Sequence, residues 1–260
     1  MKNIIFLFAI LLTIAACTNE SLKTSTNTTP SVDLNKYPPA LQKVLAKHGG
    51  LETWSKMKAM SYEIVDSLGN EKQQIDLQNR RERIEAPDFK MGFNGNDFWL
   101  EADTSYKGNP VFYKNLMFYF YAMPFVVADE GVIYGKTEPL TFDGKSYPGI
   151  RISYEDGVGV SSKDEYFVHY DPATFEMAWL GYTVTYFSGE KSPKVKWIRY
   201  DDWKKVSGLV LPNSISWFKL EDNNPSEMRN EVKFTNIKVS ETAFNDAVFA
   251  KTADAEIVKQ

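Results

Sequence analysis

"FEMAWLGYTVTYF", residues 175–187, is the stretch on which the fold turns. Read as a strand, it puts Phe175, Met177, Trp179 and Phe187 on one face. Ala178, Leu180, Tyr182, Val184 and Tyr186 fall on the other. An antiparallel strand with one wet face alternates apolar and polar residues, and this one does not. The sheet that holds it must have both faces covered, or one face lining a cavity.

The surrounding sequence supplies that sheet. Met60, Tyr62 and Ile64 alternate with Ser61 and Glu63, the period of a half-buried strand. Strands are expected at 73–77 and 81–85, then at 90–93 and 98–101 around the hairpin signal Asn94-Gly95. Further strands are expected at 147–155, 163–170, 194–206, 213–220 and 229–239. The turns between them carry Gly157 and Gly159, Asp171-Pro172, Gly189, Ser207-Gly208 and Asn223-Asn224-Pro225. No strand–helix–strand rhythm is present, so the pattern favours an antiparallel meander in one mainly β domain, residues 37–260. Helical spacing of Leu41, Val44, Leu45 and His48 places a helix before the first strand, stopped by Gly49-Gly50. A further short turn follows at Leu51, Trp54 and Met57.

A second apolar stretch, Leu116 to Ala128, runs thirteen positions without a charge or an amide in a chain of 25% charged residues. A spanning helix needs about 20 apolar residues, so this run is too short to cross a bilayer. Read as a helix from Val111 to about Met123, it groups Phe112, Leu116, Met117, Phe120 and Met123 on one side, with Phe118, Tyr121 and Ala122 around the other. A helix apolar all round is buried all round. Pro124 ends or kinks it, and Phe125 continues the apolar exit. Its natural seat is the inner face of the sheet, as a plain core helix or as a lid over an apolar pocket. The candidate pocket residues are Phe112, Leu116, Met117, Phe120, Met123 and Phe125, with Trp99 and Trp179 from the sheet.

The amino terminus has another character. A short basic start, an unbroken apolar run from Ile4 to Leu12 and the small residues Ala15-Ala16 form a secretory signal over residues 1–16. Ile14-Ala15-Ala16-Cys17 resembles the lipobox of bacterial lipoproteins, which implies a diacylglycerol thioether on Cys17 and a membrane anchor. Cys17 is the only cysteine of the 260 residues, so no disulfide forms within the chain. Residues 17–36, rich in Ser, Thr and Asn, read as a lipidated flexible tether. The eighteen residues from Thr18 to Asn35 reach about 20–25 Å. Thr18 rather than aspartate follows the cysteine, which favours the outer membrane, with the domain facing the periplasm.

Other chemistry is sparse. A net charge of −4 without a basic stripe argues against nucleic acid. There is no nucleophile elbow, HExxH, Walker or Rossmann motif, so no enzyme, cofactor or metal is expected. His48 and His169 sit on separate elements, each read as a structural residue rather than a ligand. The doublets Asp164-Glu165 and Asp201-Asp202 point to opposite faces and do not converge. The acidic turns at 95–97 and 155–157 lack the ligand spacing of a calcium loop. Arg80, Arg81 and Arg83 read as ion-paired surface, or as a seat for a headgroup phosphate.

Four segments resemble the LolA/LolB-like lipoprotein carriers. "YDDWKKVSGLVLP" (200–212) is similar to their strand–turn–strand, "GFNGNDFWL" (92–100) to their hairpin, and "FTNIKVSETAFNDAVF" (234–249) to their closing strand and tail. "LAKHGGLETWSKMKAMSYEI" (45–64) resembles the entry of an uncharacterised family of envelope lipoproteins with that fold. The resemblance implies a curved antiparallel half-barrel with helices in its concave face and acyl chains between. It supplies no ligand-contact residue. The function expected is binding of a lipid or other apolar small molecule without catalysis; the alternatives are a scaffold lipoprotein with a closed core and an enzyme using cavity carboxylates.

Overall fold

A computed structural model describes residues 32–102, 106–155 and 163–259. The expected signal peptide, Cys17 and most of the tether lie outside the described residues, as do Asp156, Gly157 and Gly159. The described residues open before Tyr37 with a 3-10 turn at Leu34–Lys36 and with Val32 packed against the core.

Helix α1 (Pro39–Lys47) starts on a proline at its first position, where no intrahelical N–H is lost, and buries Leu41, Val44 and Leu45. Helix α2 (Leu51–Lys56) follows after Gly49 and Gly50, both at positive φ. At Gly49 a Cβ would lie 2.5 Å from the Gly208 carbonyl oxygen, so this turn admits only glycine.

Strands β1 (Ala59–Ile64), β2 (Glu71–Asp76), β3 (Glu82–Glu85), β4 (Phe89–Phe93) and β5 (Phe98–Ala102) form a meander. The helical segment comes next, α3 (Pro110–Tyr113) and α4 (Leu116–Tyr121), then a 3-10 turn at Phe125–Ala128. Strands β6 (Val132–Lys136), β7 (Leu140–Phe142), β8 (Lys145–Tyr147), β9 (Gly149–Tyr154), β10 (Tyr166–Tyr170) and β11 (Met177–Tyr182) precede three longer elements. These are β12 (Lys196–Val206), β13 (Leu209–Glu221) and β14 (Asn224–Ser240); β15 (Glu256–Val258) closes the chain.

Thirteen of these strands form one antiparallel sheet in the order β15-β5-β4-β3-β2-β1-β14-β13-β12-β11-β10-β9-β6. Its two halves join where β1 pairs with β14, so the first strand of the chain lies against the last long one. The sheet is curved and does not close into a barrel, and the helices pack against it. This is the architecture implied by the LolA/LolB-like resemblance.

Two expectations are corrected. The helix expected over 111–123 is broken. Asn109 caps α3 by accepting the Phe112 N–H, and Asn115 then sits in the left-handed region at φ 56°, a conformation asparagine tolerates better than most residues. The strand expected over 175–187 is six residues long, and all six are buried. A bulge between Met177 and Trp179 leaves Ala178 unpaired and reverses the side-chain alternation at that point. Met177, Leu180 and Tyr182 therefore enter the main core, while Ala178 and Trp179 face away from it.

The outward face is covered as well. The two-stranded hairpin β7–β8 folds over it, and Leu140 and Tyr147 join Ala178, Trp179 and Trp197 in a second small core. Phe142 and Phe218 lie 4.7 and 4.8 Å from the Trp179 ring. The two apolar faces of β11 thus have two different covers. Phe187, beyond the strand, is 72% exposed.

Candidate functional site

The main core occupies the helix-bearing face of the sheet. Helix α4 lies across both halves of it. Tyr121 packs on Tyr62 of β1 and Phe234 of β14, with ring centroids 4.3 and 4.5 Å apart. Phe120 meets Tyr182 of β11 at 4.9 Å and Trp217 of β13 at 5.8 Å. The Tyr200 hydroxyl donates to the Phe120 carbonyl at 2.7 Å, and Tyr134 donates to Val127 at 2.8 Å. Phe125 stacks on Trp54 of α2, with ring centroids 4.8 Å apart and the planes nearly parallel.

Of the expected pocket residues, Met117, Phe120, Met123 and Phe125 are buried together here and Leu116 packs against them. Phe112 stands at the rim, 5.0 Å from both Tyr186 and Phe187. Trp99 and Trp179 do not join the group. Trp179 belongs to the core beneath the β7–β8 hairpin. Trp99 alternates away from the helices, donates its indole N–H to the Phe249 carbonyl at 3.1 Å, and lies under the Arg83 guanidinium. Alternation fixed that each tryptophan was inward or outward, but not which side the helices would take.

The same face carries a polar cluster that the sequence reasoning missed. Register pairs Tyr62 with Gln73, Ile64 with Glu71, and Ile75 with Glu82, so Tyr62, Gln73, Glu71 and Glu82 share the helix-bearing side. Tyr62 donates to the Gln73 side chain, Gln73 donates to Glu71 at 2.6 Å, and Tyr113 of α3 donates to Glu71 at 3.0 Å. Glu82 is 1% exposed and accepts the Asn115 backbone N–H at 2.8 Å. Burial pushes its carboxyl up to about 8, against the pull of that N–H and of Lys114. Burial also raises Glu71, partly offset by its bonds from Gln73 and Tyr113. The available signal was the phase of β2 and β3, where Ile75 and Ile84 are the only apolar markers.

The other charged candidates serve the fold. Arg80 makes a two-pronged pair with Asp129 at 2.7 and 2.8 Å, Arg81 pairs with Asp76 and Asp246, and Arg83 pairs with Glu85. None of the three is left for a phosphate. Asp164 accepts the Thr185 N–H at 2.6 Å while Glu165 pairs with Arg151. Asp201 pairs with Arg199, and Asp202 accepts from Asn213. His48 is fully buried, accepts the Met177 N–H on Nε2 at 3.0 Å and donates from Nδ1 to the Val210 carbonyl at 3.1 Å. That pair of bonds fixes a neutral tautomer, and burial lowers its pKa to about 4. His169 lies on the hairpin side, with Nδ1 3.0 Å from the Tyr147 carbonyl. Among the described residues no group of three His, Cys, Asp or Glu is placed to hold a metal, and no helix is long and apolar enough to cross a membrane.

Residues 100–208 match the model of a family of unknown function, DUF6503. No curated protein sequence matches the chain. Among solved structures, a LolA superfamily protein from Nitrosomonas europaea is similar at 11% identity and a TM-score of 0.46, covering 81% of this chain and 97% of that one. A DUF1329 family protein from Desulfovibrio piger is similar at 10% identity and a TM-score of 0.47, covering 82% and 98%. A putative outer membrane lipoprotein-sorting protein domain from Vibrio parahaemolyticus follows at 8% identity and a TM-score of 0.40, covering 81% and 94%. Likeness at this level does not transfer a ligand from those proteins to this chain.

Proposed function

We propose that the chain is a non-enzymatic lipoprotein of the cell envelope, anchored through Cys17, that takes up a lipid or other apolar small molecule between its curved sheet and the segment 110–128. The observation that carries this is the construction of that segment. It is apolar and aromatic, yet divided into a one-turn helix, a six-residue helix and a 3-10 turn rather than one continuous rod. The polar bonds that hold it down are made mostly by single side chains: Tyr113 to Glu71, Asn115 to Glu82 and to the Arg80 carbonyl, Arg80 with Tyr119, Tyr200 to Phe120, Tyr134 to Val127 and Tyr37 to Ala128. An acyl chain replacing its side chains on the sheet would bury comparable apolar area, worth about 25 cal/mol per Å².

The inner face is filled when the segment is seated, since Phe118, Tyr121, Phe125 and Val127 are fully buried. Uptake therefore requires the cover to be displaced. That filling is also the observation that favours the second reading, a scaffold lipoprotein with a closed core. Native mass spectrometry of the full-length chain purified from membranes separates the two. Apolar-ligand binding predicts a stoichiometric lipid adduct beyond the covalent anchor, and its absence after incubation with membrane lipid extract supports the closed core.

A further inference from the structure

The loop joining β11 to β12 presents an aromatic tip to solvent. Its base is fixed: Asp164 accepts the Thr185 N–H at 2.6 Å, and the Gly189 N–H closes a turn on the Thr185 carbonyl at 2.7 Å. Tyr186 and Phe187 stand on that turn with ring centroids 5.1 Å apart, and each lies 5.0 Å from Phe112 of α3. Phe187 is 72% exposed, and no other aromatic side chain among the described residues is exposed. Apolar surface held out on a fixed turn marks a contact site.

The same loop is basic. Residues 183–196 hold one acid, Glu190, and three lysines, so they carry +2 in a chain of net charge −4. Lys191, Lys194 and Lys196 are exposed and form no ion pair among the described residues. Where the loop leaves the sheet, a bulge in β14 between the pairs Trp217–Asn230 and Phe218–Met228 leaves Arg229 outside the ladder, and its charge reaches Tyr182 at the end of β11. Arg229 has no acidic partner among the described residues either.

We propose that this aromatic, basic loop docks the domain on an anionic bilayer, with the Phe187 ring at the boundary of headgroups and acyl chains and the lysines among the lipid phosphates. Aromatic rings settle at that boundary, and each lysine close to an anionic leaflet strengthens docking about fivefold. A protein partner fits less well. Three rings, two of them already half-buried, fall short of the about 800 Å² per partner that a standard protein interface buries. Docking is independent of any ligand under segment 110–128; it takes from the reading above only the anchor at Cys17, which keeps the domain beside a bilayer.

The test places Phe187→Trp in the full-length acylated chain, reconstituted in vesicles of brominated phosphatidylcholine with or without phosphatidylglycerol. Bromine on the acyl chains quenches only tryptophans that reach it, and subtracting the native chain removes its six tryptophans. Docking predicts that the added emission is quenched in the anionic vesicles. It should recover as salt rises from about 0.1 M to about 1 M and the screening length shrinks from about 10 to about 3 Å. Replacing two lysines, Lys191→Ala with Lys194→Ala, should lower the docked-to-free ratio about 25-fold. An added tryptophan that is unquenched in anionic vesicles, or quenched equally without phosphatidylglycerol, overturns the proposal. Emission already shielded before vesicles are added would show the loop covered by another copy of the chain and overturns it too. Flotation at the higher salt reports the anchor separately: a chain that does not float contradicts the anchor, while quenching at the lower salt still decides the loop.

Discussion

Two buried titratable residues, His48 and Glu82, contribute to the pH response of the fold in opposite directions. His48 ties the end of α1 to β11 and β13 through its neutral tautomer. Its folded pKa of about 4 lies below the ordinary 6.5, so the unfolded chain binds the extra proton between those values. Its contribution to stability is present above pH 6.5 and is lost as pH falls toward 4. His48→Gln should cost about 1–3 kcal/mol at pH 7 and should reduce the acid-side dependence, leaving the part carried by buried His169, as read by urea unfolding. Glu82 behaves inversely. Its folded pKa of about 8 exceeds the ordinary 4.5, so its contribution is full below pH 4.5 and is lost as pH rises to 8. That slope is about 1.4 kcal/mol per pH unit. Glu82→Gln mimics the neutral acid and should hold its stability from pH 6.5 to 8, where the native chain weakens. A native chain with no decline over that interval would show that Glu82 is ionised in the fold. His48 was legible as structural because it ended an apolar helical stripe. Glu82 was not, because "ERIE" offers one apolar residue to fix its phase and three charges that suggest a surface.

At the scale of elements, both faces of β11 were legible and their covers were not. The sequence shows that residues 177–182 are apolar on both sides; that α4 takes one side and the β7–β8 hairpin the other follows from a one-residue bulge, which leaves little trace in the sequence. Trp179 separates the two cores experimentally. Trp179→Ala should destabilise the chain by about 3–5 kcal/mol while leaving the binding of an apolar fluorescent probe to the α4 side unchanged, because the ring packs under the hairpin and not under α4. Trp179→Phe should cost less, since the indole N–H has no partner to lose. Thermal unfolding alongside binding reads both, and weakened binding by a folded Trp179→Ala would place the ligand on the hairpin side. The broken helix has a similar lesson. Apolar content over 111–123 predicted the burial found from Met117 to Met123, where only Tyr119 is half-buried, but not the half-exposed α3, and the interruption came from Asn115, whose local backbone preference outweighed a helical pattern only thirteen residues long.

For the whole molecule, antiparallel order and an inner face bearing helices followed from strand spacing and the absence of crossover helices. The closure of that face could not be read in advance, since a cover and a core helix have the same composition. The polar cluster also emerges only at this scale, because β1, β2, β3 and α3 contribute one or two residues each. The central claim is that segment 110–128 is a displaceable cover. Amide hydrogen exchange of the full-length chain, with and without saturating palmitic acid, tests it most directly. The amides of Tyr119 and Ala122, bonded within α4 to Asn115 and Phe118, report on the segment. The account predicts faster exchange across 113–128 on ligand addition, with β11 to β13 unchanged. Exchange that stays the same throughout, or slows uniformly, would contradict it.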